Sequence, residues 1–144
     1  MNNFLRLLQL SFLPHSIDAG LLVLRLWIGV MMFTHGWQKL RGFSEMSAKF
    51  PDILGIGSTP ALALAVFAEA GCSILLALGL FTRFAAATLA ITMGVAFFMA
   101  HKGALTGPGN GELAFIYLGV FVALLIAGAG RSSLDAKIGQ TARR

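Results

Sequence analysis

Five ionisable side chains lie within the long apolar runs or at their ends, and their types are those that exchange protons or bind polar ligands. They are Arg25, His35, Glu69, His101 and Glu112. A histidine or glutamate can hydrogen-bond a ligand carbonyl group and exchange a proton with it. In a lipid environment such groups cost several kcal/mol unless they are paired, so each one requires a structural or functional reason.

The composition identifies that environment as lipid. Of the 144 residues, 57% are hydrophobic and only 12% are charged, whereas a globular chain has about 25% charged residues. The net charge of +5 comes from basic residues between and after the apolar runs. That placement fits anionic headgroups and predicts no nucleic-acid partner. The single cysteine, Cys72, excludes an internal disulfide and a CxxC redox pair.

Four apolar segments reach the length of about 17–25 residues that a membrane span needs. They are Ala19–Trp37, Ala61–Phe81, Phe84–Ala100 and Leu113–Gly130. Open strands would leave backbone groups unpaired in hydrocarbon, so each segment is predicted to be a helix. The fold class is therefore an all-α membrane protein, an antiparallel bundle of four transmembrane helices with a tight hairpin at Thr82 and Arg83.

The flanking segments complete the predicted organisation. Residues 1–17 form an interfacial amphipathic segment, residues 18–136 the transmembrane domain and residues 137–144 a basic tail. The loop containing SEMSAKF is expected to form one or two helical turns on the membrane. The side with both termini carries six Lys and Arg residues against four on the other side. This asymmetry favours cytoplasmic termini.

The depths of the buried charges predict an ion pair. Arg25 lies roughly 9 Å inside the first helix, and Glu69 lies roughly 14 Å from the opposite face. In a core about 30 Å thick, the two depths differ by roughly 7 Å, a gap that an extended arginine can bridge. An Arg25–Glu69 pair would hold the first two helices together and set the charge of Glu69.

Four of the ionisable residues are predicted to lie at the outer end of the bundle: His35, Glu69, His101 and Glu112. Three interpretations are open. The set could bind a metal, although it lacks the Glu-x-x-His spacing of di-iron bundles, and no metal ligand is assigned. It could bind a quinone, with Phe33, Trp37, Phe98 and Phe115 as aromatic walls, or the end groups could simply be solvated. In the ligand interpretation, Glu69 and His35 are the catalytic candidates, and the candidate ligand-binding residues are Arg25, Trp37, Lys39, His101 and Glu112.

Three segments resemble the DoxX family of small four-helix proteins of the bacterial inner membrane. They are LRLWIGVMMFTHGWQKLRGF (24–43), AEAGCSILLALGLFTRFAA (68–86) and GAGRSSLDA (128–136). The family's recurrent polar positions correspond to Arg25, His35, Lys39, Glu69, Arg83, Arg131 and Asp135. Arg131 and Asp135 are four residues apart, so they are expected to pair and to fix the cytoplasmic end.

The resemblance implies two functions of different classes. The first is a subunit of a quinone-linked redox or oxidative-stress system, since the family is named after a subunit of a thiosulfate:quinone oxidoreductase. Such a subunit would act as an oxidoreductase only together with partners. The second is a non-catalytic scaffold that recruits soluble redox or sulfur-transfer enzymes through Arg83, Arg131, Lys137, Arg143 and Arg144. Quinone is the cofactor considered, and homo-oligomerisation stays open.

Overall fold

The computed structural model describes residues 16–141, and within that range the chain is helical and contains no strand. Helix α1 spans Ile17–Arg41, and a single helical turn follows at Phe43–Met46. Helix α2 spans Ser58–Leu78 and helix α3 spans Thr82–Ala100. Helix α4 spans Glu112–Ala127, and a short helix α5, Leu134–Thr141, follows it. The predicted interfacial segment lies almost wholly outside the described residues, as do the last three residues of the predicted tail.

Local chemistry explains where α1 begins and where α2 ends. Ser16 caps α1, because its side-chain oxygen accepts a hydrogen bond from the Ala19 N–H at 3.1 Å. Gly79 ends α2 with a left-handed φ of 70°, a conformation that glycine adopts without steric cost. Only Gly79, Leu80 and Phe81 separate α2 from α3. The predicted tight connection is therefore present, but the turn lies before Thr82 and Arg83, which belong to α3. The predicted helical turn in the loop after α1 is also present, at Phe43–Met46.

Helices α1 to α3 are long and apolar enough to cross a membrane. Helix α4 is apolar but has 16 residues, or about 24 Å at 1.5 Å per residue. This is shorter than the hydrocarbon core of about 30 Å. The sequence predicted a longer segment, Leu113–Gly130, but Gly128 leaves the helical conformation with a φ of 77°.

The four apolar helices pack in chain order, with α1 on α2, α2 on α3 and α3 on α4, and α1 also touches α4. Their shared core contains Met32, Cys72, Leu76, Leu89 and Phe121, each almost completely buried. The sequence did not predict α5, which lies in the segment that was assigned to the end of the transmembrane domain and to a basic tail.

Two π-helical segments interrupt this regular packing. Phe67–Cys72 lies in the middle of α2, and Ala96–Ala100 forms the end of α3. A π-helical turn inserts an extra residue into the helix, and such turns occur often at functional sites. The first of them contains Glu69, and both contribute to the cavity described below.

Candidate functional site

Helices α1 and α2 lie in close contact at Gly36. A Cβ at this position would overlap the backbone nitrogen of Ala70, so only glycine permits the contact. Further along the interface, Gly29 lies against Ser73 and Ala77. These contacts fix the register of the two antiparallel helices and place Gly36 level with Glu69.

Lys39 lies one turn beyond Gly36 and forms the ion pair of Glu69. The Lys39 Nζ atom is 2.5 Å from Glu69 Oε2. Glu69 is only 5% exposed, and Lys39 is half-buried. The pairing satisfies a carboxylate that would otherwise be costly to bury.

The predicted Arg25–Glu69 pair is wrong. Arg25 precedes Gly36 by eleven residues on α1, or about 16 Å along the helix axis, and it binds elsewhere. The sequence underestimated this separation, because depths were measured from the ends of the apolar segments and Trp37 was taken as the end of α1. The helix extends to Arg41.

A cavity of about 260 Å³ opens beside the ion pair. Its polar lining comes from α1, α2, α4 and the connection between α3 and α4: His35, Lys39, Glu69, His101, Asn110 and Tyr117. Its apolar lining is Met32, Met93, Ala96, Leu113 and Ala114. The helices therefore bring together four of the predicted site residues, namely His35, Lys39, Glu69 and His101.

The connection between α3 and α4 closes one side of this cavity. His101 Nδ1 lies 2.7 Å from the carbonyl oxygen of Gly109. The Asn110 side chain is fixed at both ends, since its amide nitrogen donates to the Gly107 carbonyl and its oxygen accepts from the Glu112 N–H. Gly111 fits closely against His101 and Phe97, where a Cβ would lie 2.8 Å from each. These contacts hold two polar side chains at the cavity rim.

Tyr117 is the functional candidate that the sequence interpretation missed. Its ring stands edge-on to His35, with 5.9 Å between the ring centroids, and the residue is buried. It is the only tyrosine of the chain and lies in the second turn of α4. A hydroxyl group so far inside an apolar helix is the signal that could have identified it, because such a group needs a polar partner.

Comparison with known proteins assigns the family. A family model described as DoxX matches residues 20–102 of the 144, which is more than half of the chain. The chain belongs to the DoxX family. His35, Lys39, Glu69 and His101 all lie inside the matched range, whereas the closing GAGRSSLDA segment lies outside it.

Two similar proteins come from Haemophilus influenzae, and each is described as an uncharacterized protein. One is 39% identical over 119 residues, covering 79% of this chain and 87% of its own length. The other is 32% identical over 128 residues, covering 83% of both chains. No solved structure matches the chain. Together with its apolar helices, the family membership makes this a membrane protein.

Three predicted ligand residues of this DoxX protein lie away from the cavity. Trp37 is 42% exposed, and its ring lies beside Phe33 and the Arg41 guanidinium. Glu112 is exposed at the start of α4. Arg25 is at the opposite end of the helices. Of the four predicted aromatic walls, Phe33, Trp37, Phe98 and Phe115, none lines the cavity; methionines and Tyr117 form its walls instead.

We call the region around Arg25 the clasp end. Arg25 is 0% exposed, and its Nη2 donates to the Ser132 carbonyl at 2.6 Å. Its Nε and Nη1 have no hydrogen-bond partner among the described residues. The guanidinium fills the space that a side chain at Gly79 would occupy. A ligand therefore has no access to Arg25, and the residue holds the C-terminal segment against α1.

Asp135 completes the clasp end by capping α3. Its Oδ1 accepts from the Phe81 N–H at 2.7 Å, and its Oδ2 accepts from the Thr82 N–H at 2.9 Å. Burial alone would raise the pKa of Asp135, but these bonds and the nearby Arg25 charge hold it below the ordinary value. The predicted Arg131–Asp135 pair is wrong, because residue 131 precedes α5; its backbone N–H binds Asp18 instead.

Metal coordination has no suitable set of ligands here. Within residues 16–141, no three His, Cys, Asp or Glu side chains lie close enough together to hold a metal ion. His35, Glu69 and His101 line one cavity but do not converge on a common point.

Proposed function

We propose that this DoxX protein is an integral inner-membrane subunit of a redox system and binds the head group of a quinone, or a similar small ring, in the cavity. The observation that carries the proposal is the buried Glu69–Lys39 pair on the wall of a 260 Å³ space. A pair that only neutralised charge could be packed against apolar side chains. This one faces a cavity together with two histidines and a tyrosine.

The size and lining of the cavity support a ligand with one ring. Pockets for drug-sized ligands span about 300–1,000 Å³, so 260 Å³ suits a single substituted ring. Met32 and Met93 supply flexible apolar walls, which adapt to a flat ring. When bound, a quinone would carry two electrons and two protons; the electrons would pass to or from a partner subunit.

The chain's own residues would position the ring and handle its protons. Lys39 donates to Glu69 Oε2, which leaves Oε1 for a ligand hydroxyl and its proton. His35 lies within the same lining and can donate or accept a proton. This role of Lys39 replaces the one that the sequence interpretation gave to Arg25.

The proposal includes a topology. We propose that α4 crosses the membrane as the fourth span despite its length, because bilayers thin locally around short helices at a modest cost. The clasp end would then face the cytoplasm with both termini, and the cavity would lie in the outer half. A cysteine-accessibility scan with one probe on Thr106 and another on Lys137 tests this orientation.

The content of quinone in purified protein tests the proposed ligand. We expect the native protein, isolated in mild detergent, to contain extractable quinone near one per chain, measured by mass spectrometry. The Glu69→Gln protein should lose it by at least tenfold. Glu112→Gln is the matched control, since that glutamate is exposed outside the cavity. Retention of quinone by the Glu69→Gln protein would disprove the proposal.

A scaffold role is the second candidate, and exposed arginines at the clasp end favour it. Arg83 and Arg131 both lie exposed there, where a soluble redox or sulfur-transfer enzyme could dock. Cross-linking in native membranes distinguishes the two functions. A scaffold should lose its partners when Arg83 and Arg131 are changed to glutamate, and should keep them when Glu69 is changed to glutamine.

A further inference from the structure

We propose that the cavity favours the reduced, dihydroxy form of an aromatic ring over the oxidised, dicarbonyl form. This inference rests on the proposed function, because it concerns the same cavity. It follows from the hydrogen-bonding atoms of the lining. Some of them are available to a ligand, and others are already bonded within the protein.

His101 offers an acceptor. The partner of its Nδ1 is the carbonyl oxygen of Gly109, and a carbonyl can only accept a hydrogen bond. Nδ1 must therefore carry the hydrogen. In a neutral imidazole the other nitrogen, Nε2, is then the acceptor, and it is the ring atom left for a ligand of the cavity.

Glu69 offers a second acceptor in the same lining. Its Oε2 is bound to Lys39, which leaves Oε1 for a ligand. A carboxylate paired with an ammonium group can only accept hydrogen bonds. Glu69 belongs to α2 and His101 directly follows α3, so the two acceptors reach the cavity from different parts of the fold.

The donors of the lining do not discriminate between the two forms. The Asn110 amide nitrogen donates one hydrogen to the Gly107 carbonyl, and Lys39 donates one to Glu69; both groups keep a further N–H, which a ring hydroxyl or a ring carbonyl oxygen can accept. The His35 ring and the Tyr117 hydroxyl can act as donor or acceptor, so they suit either form of the ring.

A hydroxyl group matches this lining better than a carbonyl does. A ring hydroxyl can donate to Glu69 Oε1 or His101 Nε2 while its oxygen accepts from a remaining N–H of Lys39. A ring carbonyl can accept from the same Lys39 N–H but has no hydrogen to donate, so it would leave Glu69 Oε1 and His101 Nε2 without a donor. Such unsatisfied groups reduce affinity by about tenfold or more each.

The test compares three matched probes on the full-length protein in lipid nanodiscs. They are 2,3,5-trimethylhydroquinone kept under anaerobic conditions, its quinone, and its dimethyl ether, which keeps the ring but has no hydroxyl hydrogen. We expect the hydroquinone to bind at least tenfold more tightly than either of the others, by titration calorimetry. Glu69→Gln should reduce this ratio at least threefold, while Glu112→Gln should leave it unchanged.

The outcomes separate this inference from the proposed function. If the quinone binds as tightly as the hydroquinone, or if the dimethyl ether does, the cavity is a ligand site but the preference is refuted. If none of the three probes binds, the preference and the proposed function both fail. The comparison of probes on the native protein needs no variant, and a His101→Phe protein provides a second test of the acceptor role.

Discussion

The two ends of the helix assembly both bury charged side chains, but they use them differently. At the clasp end, Arg25 and Asp135 bind backbone groups, and Arg25 is packed against Gly79. At the other end, the Glu69–Lys39 pair faces a cavity. Buried charge therefore does not by itself mark a functional site. What distinguishes the two ends is whether the charged groups meet the chain's own backbone or a space that a ligand can enter.

Replacing Arg25 by methionine should have the largest effect on stability. It removes the hydrogen bond to Ser132 and leaves Asp135 without its nearby positive charge. Breaking a buried charge interaction of this kind costs about 3–5 kcal/mol. Measuring the free energy of unfolding of the native and Arg25→Met proteins by detergent titration tests this prediction. Arg83→Met is the control, because Arg83 is an exposed arginine at the same end; equal effects of the two changes would refute the structural role of Arg25.

Removing the Asp135 carboxylate should have an intermediate effect. Losing a cap of this type costs about 1–2 kcal/mol at neutral pH, so Asp135→Ala should lower the free energy of unfolding by that amount. The pKa of Asp135 is depressed in the folded protein. Its stabilisation is therefore complete above the ordinary value of 3.8 and is lost as the pH falls from there through the folded pKa.

Measuring the free energy of unfolding between pH 7 and pH 3 tests the predicted direction of this pH dependence. The native protein should lose the contribution of Asp135 over the acid part of that range, and the difference between the native protein and the Asp135→Ala protein should shrink there. A difference that stayed constant or grew towards low pH would contradict the assignment.

Replacing the pair at the cavity by apolar residues should have the smallest effect on stability. Buried ion pairs are often replaced by apolar side chains at little cost, so Lys39→Met with Glu69→Leu should change the free energy of unfolding by less than about 1 kcal/mol. Binding of trimethylhydroquinone should nevertheless be lost. A double variant that was strongly destabilised but still bound trimethylhydroquinone would show that the pair serves stability rather than ligand binding. That result would contradict the proposed difference between the two ends.

The sequence predicted the helices well because a helix surrounded by lipid must be apolar over most of its length. Long apolar runs located α1 to α3, and the hairpin followed from the two residues between the predicted second and third segments. Helix α5 was missed because LDAKIGQT has no long apolar run. Its position depends on contacts with distant residues, such as Asp135 with Phe81 and Thr82.

The site was predicted only in part, because its geometry depends on helix register. The sequence grouped His35, Glu69 and His101 at one end of the bundle, and all three line one cavity. It also grouped Glu112 with them, which lies outside the cavity, and it did not predict Lys39 as the partner of Glu69. The deciding contact is the fit of Gly36 against the backbone at Ala70, and a single glycine in an apolar helix does not reveal what it touches. The π-helical turn around Glu69 also rotates the residues that follow it, which a regular helical pattern cannot anticipate.

The bond between Arg25 and Ser132 joins residues 107 positions apart in the chain. During synthesis the first helix therefore enters the bilayer long before its guanidinium can meet the carbonyl that it binds. Until then this charge must be hydrated or must interact with lipid phosphates. Because Ser132 follows α4 in the chain, the Arg25–Ser132 bond at the clasp end forms late in assembly, after the other apolar helices have been made.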